Sequence, residues 1–153
     1  MISKIVVGLD GSDGAMQAAR MAVEIAAKFE AKVLLYYVVP PVALPPEAGG
    51  AEMTIIESNR SAGEEVLASV KKAIAQPGLE VETAIGFGPA AETLADMAAA
   101  QNADLVVVGS RGRGAVARVL LGSVADRLSH ICNRPLLIVH GARAPQSNIR
   151  RSS

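Results

Sequence analysis

Two groups of residues in this chain have the types and spacing that binding a phosphorylated ligand requires. One is Asp10, which begins a turn-forming run of Asp, Gly and Ser. The other is the glycine-rich segment Gly109-Ser110-Arg111-Gly112, which is followed after nine further residues by Gly122 and Ser123. A backbone that brings its N–H groups close to a phosphate has no room for a Cβ, and glycine removes that obstacle.

Positive charge and hydrogen-bond donors accompany these glycines. Arg111 and Arg113 flank Gly112 with two guanidinium groups. Gly122 and Ser123 precede a stretch with helical periodicity, so we expect them to open a helix whose N-terminus offers N–H groups and a favourable dipole to an anion. The Ser123 hydroxyl can add one more hydrogen bond to a phosphate oxygen. The segment is therefore a candidate phosphate-binding loop.

Each piece also has a purely structural interpretation. Gly112 and Gly114 can form an ordinary surface turn. Asp10 can cap the first helix, and Ser123 with Asp126 three residues later matches a helix-capping pair. Taken singly, each of these residues is explained as well by a structural role as by ligand binding. The complete spacing, together with an acid after the first strand, is more specific than any one part.

Other ligand classes fit the sequence less well. It contains no Gly-x4-Gly-Lys-[Ser/Thr] segment, which excludes a P-loop NTPase. No Gly-x-Gly-x-x-Gly follows the first apolar run, which argues against a dinucleotide-binding fold. His130 and His140 lack partners at metal-ligand spacing. Because Cys132 is the only cysteine, no disulfide can form within the chain.

The elements that must position these residues alternate along the chain. Five apolar or β-branched runs alternate with stretches in which small and apolar residues recur at helical spacing. This alternation predicts a parallel sheet with helices on both faces. The third run alternates apolar and polar residues, so we place it at an edge of the sheet. The predicted strands are Lys4–Leu9, Lys32–Val39, Leu79–Ile85, Asp104–Gly109 and Leu136–Val139, and the predicted helices begin near Ala15, Thr54, Pro89 and Gly122.

The predicted fold is a single open five-stranded parallel α/β sheet, Rossmann-like, with helices on both faces and the order 3-2-1-4-5. In that order the first and fourth strands are neighbours at the point where the strand order reverses. Ligands bind at the carboxyl ends of strands at such a point. Asp10 and the segment from Gly109 would then face one crevice.

Composition limits the classes of function. Lysine plus arginine equals aspartate plus glutamate, so the chain has no large basic surface for nucleic acid. No apolar run approaches the roughly 18 residues of a membrane span, and the N-terminus does not resemble a signal peptide, so we expect a cytoplasmic protein. We predict one domain over residues 1–140 and a flexible C-terminal tail over 141–153, with a mobile proline-rich loop at Pro40–Gly50.

The pattern Gly-x2-Gly-x9-Gly-Ser resembles the nucleotide-binding motif of universal stress proteins. The first strand that ends at Asp10 and the closing Arg-Pro-Leu-Leu-Ile-Val segment fit the same family, and the resemblance covers about Ile2 to His140. It implies the ATP-binding branch of the family. A divalent ion, Mg²⁺ or Mn²⁺, would accompany the phosphates.

The resemblance also implies roles for individual residues. Asp10 would contact the ribose or adenine side of ATP, and Val38 or Val39 would wall the adenine pocket. The residues expected to hold the ribose and phosphates, or to adjoin them, are Gly8, Gly109, Arg111, Gly112, Gly122, Ser123 and Val124.

Three function classes remain: an ATP-dependent sensor or regulator of stress responses, a slow ATPase, and a dimeric scaffold without a nucleotide role. Catalysis needs a base or a water-positioning residue beside the γ-phosphate. Asp10 and Asp13 are the acids expected near the crevice, and neither has a partner that would tune it as a base. We therefore favour the sensor.

The last strand predicts a homodimer. Leu136–Val139 is apolar on both faces and uncharged, and in the order 3-2-1-4-5 it lies at a sheet edge. A two-fold axis would let it pair antiparallel with its own copy, and the resemblance implies the same contact. The alternative is that the tail from Gly141 covers the edge.

Overall fold

The computed structural model describes residues 1–112 and 121–141. Five strands and four helices alternate within these ranges, and a short 3₁₀ helix at Pro46–Ala48 interrupts the proline-rich loop. The elements are β1 (Lys4–Leu9), α1 (Asp13–Phe29), β2 (Lys32–Val39), α2 (Ala51–Ile74), β3 (Val81–Phe87), α3 (Ala90–Ala100), β4 (Leu105–Gly109), α4 (Ser123–Ile131) and β5 (Leu136–Val139). Two predictions concern residues outside these ranges: the positive charge of Arg113 beside Gly112, and the flexible tail beyond Gly141.

The five strands form one parallel sheet of order β3-β2-β1-β4-β5, which confirms the predicted fold class and strand order. β3 lies at one edge, as its alternating sequence predicted, and β5 lies at the other. Because β1 and β4 are neighbours, the turn after β1 and the glycine-rich segment after β4 leave the sheet side by side. No helix in the described part of the chain is long and apolar enough to cross a membrane.

Successive residues of each strand point to opposite faces of the sheet, which gives two separate cores. Odd-numbered residues of β1, such as Ile5 and Val7, pack against α1 and α2. Val6 packs on the other face with Leu94 of α3 and Leu128 of α4. Apart from one tyrosine in each, both cores consist mainly of valine, isoleucine, leucine and alanine, as the scarcity of aromatic residues requires.

Two consecutive tyrosines of β2 lie on opposite faces. Tyr37 packs on the α1–α2 side, where a Cβ on Gly63 of α2 would come within 2.6 Å of its ring carbon Cδ1. Tyr36 packs on the α3–α4 side, where a Cβ on Gly86 of β3 would overlap its hydroxyl oxygen. Each glycine therefore leaves the space that one tyrosine occupies.

Some element boundaries differ from the sequence-based expectation. β3 starts at Val81 rather than Leu79, because the Leu79 N–H donates to the carbonyl of Gln76 in the preceding turn. It continues two residues further, to Phe87, because pairing with β2 extends to Val39. α2 begins three residues before Thr54, after Gly50 adopts a left-handed conformation with φ 75°.

Asp104 connects the start of β4 to the start of β1. One carboxylate oxygen accepts hydrogen bonds from the Ser3 N–H at 2.8 Å, the Ser3 hydroxyl at 2.9 Å and the Lys4 N–H at 3.0 Å. The two hydrogen bonds from Ser3, with the one from Lys4, lower the pKa of Asp104 below its ordinary value. The charged form of this carboxylate is therefore favoured in the folded protein.

Candidate functional site

A cavity of about 480 Å³ opens at the carboxyl ends of β1, β2 and β4. The segments after β1 and β4 and the first turns of α3 and α4 complete its walls. The volume lies in the range of small-molecule sites. The cavity is thus at the strand-order reversal where the sequence predicted a ligand.

The floor of the cavity is a row of residues across three strands. Gly8 of β1 pairs with Tyr36 of β2, and Val108 of β4 lies beside Gly8 on its other side. Because Gly8 has no side chain, Leu94 of α3 packs into the space above it. A Cβ on Gly8 would be 2.7 Å from a methyl carbon of Leu94 and 3.1 Å from one of Val108. The close approach of α3 therefore requires glycine at this position.

Asp10 connects the two segments that border the cavity. One carboxylate oxygen accepts hydrogen bonds from the Ser12 N–H at 2.9 Å and the Ser12 hydroxyl at 2.5 Å. Ser12 is the N-cap of α1, and its hydroxyl oxygen accepts from the Ala15 N–H at 3.2 Å. Asp10 thus orients the cap and does not cap α1 itself.

The other carboxylate oxygen of Asp10 faces the glycine-rich segment. A Cβ on Gly112 would be 2.5 Å from that oxygen, so the carboxylate occupies the space that a side chain would fill. The glycine here has a local structural reason as well as a possible role toward a ligand.

Gly109 brings the end of β4 against the first turn of α1. A Cβ at this position would be 2.8 Å from the carbonyl carbon of Gly14 and 2.9 Å from its oxygen. Backbone atoms cannot move aside as a flexible side chain can. Gly109 therefore fixes the distance between the segments that follow β1 and β4.

Gly122 brings the start of α4 against the segment after β4. Its N–H donates to the carbonyl oxygen of Ser110 at 2.6 Å, and the Ser110 side chain is buried. A Cβ on Gly122 would be 3.2 Å from both the Arg111 Cα and the Ser110 oxygen. The glycine-rich segment and the start of α4 therefore meet beside the cavity.

The N-terminus of α4 lies at the polar side of the cavity. Gly122 is its N-cap, in an extended conformation, and no side chain caps the helix. Ser123 is the first helical residue, so the interpretation of Ser123 and Asp126 as a capping pair is wrong. N–H groups in the first turn of a helix have no acceptor within the helix, and here they border a cavity that can hold an anion.

The cavity brings together nine of the ten predicted residues: Gly8, Asp10, Val38, Gly109, Arg111, Gly112, Gly122, Ser123 and Val124. Val39 does not line it. Its side chain is buried in the α1–α2 core, because it points to the opposite face from Val38. Asp13, which we expected near the crevice, lies instead in a neighbouring groove between α1 and α2.

Several lining residues were not predicted. Ser12 and Ser110 adjoin predicted positions, and Tyr36 lies two residues before Val38, so strand alternation would have found it. Ala90 and Leu94 come from α3, and no local pattern links that helix to the glycine-rich segment.

The lining divides the cavity chemically. The β2 and α3 side is mostly apolar and can hold a flat aromatic group, whereas the α4 side offers glycines, serines and Arg111 to phosphates. Within residues 1–112 and 121–141, no group of three His, Cys, Asp or Glu side chains could hold a metal ion.

Comparisons with known proteins agree with this geometry. The model of the universal stress protein family matches residues 1–140. A universal stress protein of Methanocaldococcus jannaschii is 38% identical over 142 residues, which cover 91% of this chain and 82% of the relative.

Solved structures extend the comparison to the fold. UspA from Lactobacillus plantarum superimposes with a TM-score of 0.83 at 23% identity, over 90% of this chain and 97% of its own. A universal stress protein crystallised in complex with cAMP superimposes with a TM-score of 0.66 at 29% identity, over 92% of this chain and 99% of its own.

Proposed function

This chain belongs to the universal stress protein family, and we propose on that basis that its cavity binds an adenine nucleotide, in particular ATP. The observation that carries the proposal is the cavity at the strand-order reversal, where an apolar hollow adjoins the glycine-rich segment and the α4 N-terminus. The 29%-identical relative in complex with cAMP supports an adenine nucleotide as the ligand.

In the proposed arrangement, the base lies on the apolar side, against Val38 and Leu94. Asp10, whose carboxylate lies between Ser12 and Gly112, is placed to accept a hydrogen bond from a ribose hydroxyl. The phosphates lie by Gly112, Gly122 and the first turn of α4. Mg²⁺ or Mn²⁺ would neutralise phosphate charge while bound chiefly to phosphate oxygens.

We propose that the nucleotide acts as a signal in a cytoplasmic stress response rather than as a substrate. Among the described residues, Asp10 is the acid that lines the cavity, and its carboxylate already accepts two hydrogen bonds from Ser12. A carboxylate held in this way is a poor base for activating water. Slow hydrolysis is the alternative, and a nucleotide-free scaffold is the least supported of the three classes.

We also propose that the protein works as a homodimer joined through β5. Leu136–Val139 carries no charge, lies at the sheet edge, and each of its residues is partly exposed. The carbonyl of Pro135 accepts from the Val106 N–H of β4, and that of Val139 accepts from the N–H of Ser110 just after β4. By alternation, the N–H and C=O groups of Ile138 point to the outer edge. An antiparallel copy of β5 could pair with that edge.

The experiment that tests nucleotide binding is calorimetric titration of ATP with Mg²⁺ into the unmodified protein and Ser123→Asp. An acid in the first turn suits the helix dipole, so α4 should persist, but it repels phosphate. We expect the variant to lose at least about tenfold in ATP affinity, or about 1.4 kcal/mol. Adenosine, which has no phosphate, should bind both proteins equally.

Ser129→Asp is the matched control, because it makes the same charge change near the other end of α4. It should leave ATP affinity within about twofold, since Ser129 is exposed, does not line the cavity, and its charge would be screened by solvent and salt. Equal ATP affinity of Ser123→Asp and the unmodified protein would contradict the placement of the phosphates.

A further inference from the structure

Ser110 is a buried serine in the wall of the cavity. Its residue is only 3% exposed, and no other serine, threonine, amide or charged residue in the described part of the chain is buried to this degree. It directly follows β4, and its N–H donates to the carbonyl of Val139 at 2.9 Å. The pairing of β4 with β5 therefore continues through Ser110.

The side chain of Ser110 points to the face of the sheet that holds the cavity. A Cβ on Gly109 would meet the backbone of Gly14, so position 109 faces α1. Because successive residues of a paired strand alternate, Ser110 faces the other side, as Val108 does. Val108 and Ser110 both line the cavity.

The Ser110 hydroxyl forms no hydrogen bond with another residue in the part of the chain that the structure describes. Yet no side-chain oxygen there is both fully enclosed and without a partner, so this hydroxyl oxygen reaches open space. Its neighbours Gly109 and Arg111, and Gly122, which donates to its carbonyl, all line the cavity. The open space is therefore the cavity.

The other serines of the cavity wall differ from Ser110. The hydroxyl of Ser12 is engaged, since it donates to Asp10 and accepts from the Ala15 N–H. Ser123 is exposed, at the start of α4. Ser110 thus combines burial with an unused hydrogen-bonding group that faces the place of the ligand.

The hydroxyl lies where two further features favour an anion. The Gly122 N–H donates to the Ser110 carbonyl at 2.6 Å, which places Ser110 beside the first turn of α4, and no side chain caps that helix. Arg111 follows Ser110 and lines the cavity as well. A serine hydroxyl can donate to an anionic oxygen, and such a bond is about twice as strong as one between neutral groups.

We propose that the Ser110 hydroxyl donates a hydrogen bond to a phosphate oxygen of the bound nucleotide and so makes the cavity prefer a nucleotide over its nucleoside. This inference rests on the proposed nucleotide binding. The hydroxyl gains a partner when a phosphate enters and stays without one when the ligand has none. Sites built to hydrogen-bond a ligand discriminate strongly against analogues that lack the bonding group.

The test combines a change in the protein with a series of ligands. Adenosine, AMP, ADP and ATP are titrated calorimetrically into the unmodified protein and Ser110→Ala. We expect Ser110→Ala to weaken binding by about tenfold or more, the range for a hydrogen bond to a charged group, from the first ligand whose phosphate reaches the hydroxyl. All longer ligands should show the same loss, and adenosine should bind both proteins equally.

Ser129→Ala is the matched control, because it removes a hydroxyl from an exposed position of α4 that does not line the cavity. It should leave the affinities of all four ligands unchanged. If Ser110→Ala weakened adenosine as much as ATP, or weakened no phosphorylated ligand, the role of Ser110 would be overturned.

Nuclear magnetic resonance gives a second measurement, on the unmodified protein, that does not depend on the stability of Ser110→Ala. The Cβ resonance of Ser110 reports on the bonding of the hydroxyl attached to that carbon. It should shift when ATP saturates the protein and stay near its ligand-free position with adenosine. A Cβ resonance that ATP left unchanged, or that adenosine shifted equally, would contradict the phosphate contact.

The two proposals fail in different ways. If the unmodified protein bound no adenine nucleotide, both would fall. If it bound ATP and Ser110→Ala bound ATP with the same affinity, only the role of Ser110 would fall.

Discussion

At the scale of single residues, glycines shape this cavity for reasons that differ from one position to the next. Gly8 makes room for Leu94, Gly109 for the backbone at Gly14, and Gly112 for the Asp10 carboxylate. The motif is therefore a set of packing requirements as well as a means of exposing backbone N–H groups. The proposed ligand would therefore enter a cavity whose walls these close contacts already hold in place.

Gly122 gives a test at this scale. In Gly122→Val the Cβ alone would be 3.2 Å from the Arg111 Cα and the Ser110 oxygen, and the branched carbons add further bulk. We expect the glycine-rich segment to shift, so that ATP affinity falls by more than about tenfold, or about 1.4 kcal/mol, while circular dichroism is unchanged. Wild-type affinity in calorimetry would show that the segment does not hold the phosphates.

At the scale of elements, the carboxylate of Asp104 contributes to the contact between β1 and β4, the pair of strands that carries the site. Its folded-state pKa is lowered, so it stabilises the fold above the pKa of the unfolded chain. That contribution disappears as the pH falls through the lower pKa of the folded state. The hydrogen bonds from Ser3 and Lys4 are the cause.

We predict that Asp104→Asn lowers the midpoint of urea unfolding at neutral pH, because a neutral amide accepts these hydrogen bonds less strongly than a carboxylate. The difference from the unmodified protein should shrink as the pH is lowered through the acidic range. Glu57→Gln, on the exposed side of α2, controls for the loss of one negative charge. If the difference in urea midpoint between Asp104→Asn and the unmodified protein did not change with pH, the loss of stability would have a cause other than this carboxylate.

Much of the arrangement of elements could be predicted from the sequence, and the failures have physical reasons. Strands of a parallel sheet covered by helices are continuous apolar runs, so β1, β2 and β5 were located to the residue. Strand alternation places Val38 and Val39 on opposite faces but does not say which face holds the cavity. The contribution of Leu94 depends on how α3 crosses the sheet, which no local pattern encodes.

At the scale of the whole molecule, the sheet has two edges with different chemistry. β3 carries polar and charged residues such as Glu82 and Thr83, which discourage pairing with another chain. β5 carries only leucine, isoleucine and valine. This asymmetry makes β5 rather than β3 the edge through which we propose that two copies pair, and a two-fold contact there would be complete after two copies.

We predict that the unmodified protein is a dimer in light scattering and that Ile138→Lys is a monomer, because a lysine would bring positive charge from both copies into an otherwise uncharged contact. Ile138 also packs in part against the α3–α4 core, so a second variant separates the effects. Ile138→Pro removes a backbone donor that points to the outer edge, and it should also give monomers. A monomeric unmodified protein would rule out the β5 dimer.

The pairing of each β2 tyrosine with a glycine also constrains how this sequence can change over evolutionary time. A methyl group at position 86 would collide with the hydroxyl of Tyr36, and one at position 63 with the ring of Tyr37. An alanine at either position becomes acceptable only after the facing tyrosine has been replaced by something smaller. The substitutions must therefore accumulate in a fixed order, tyrosine first, so that in a lineage of descendants the two glycines would outlast the aromatic residues they accommodate.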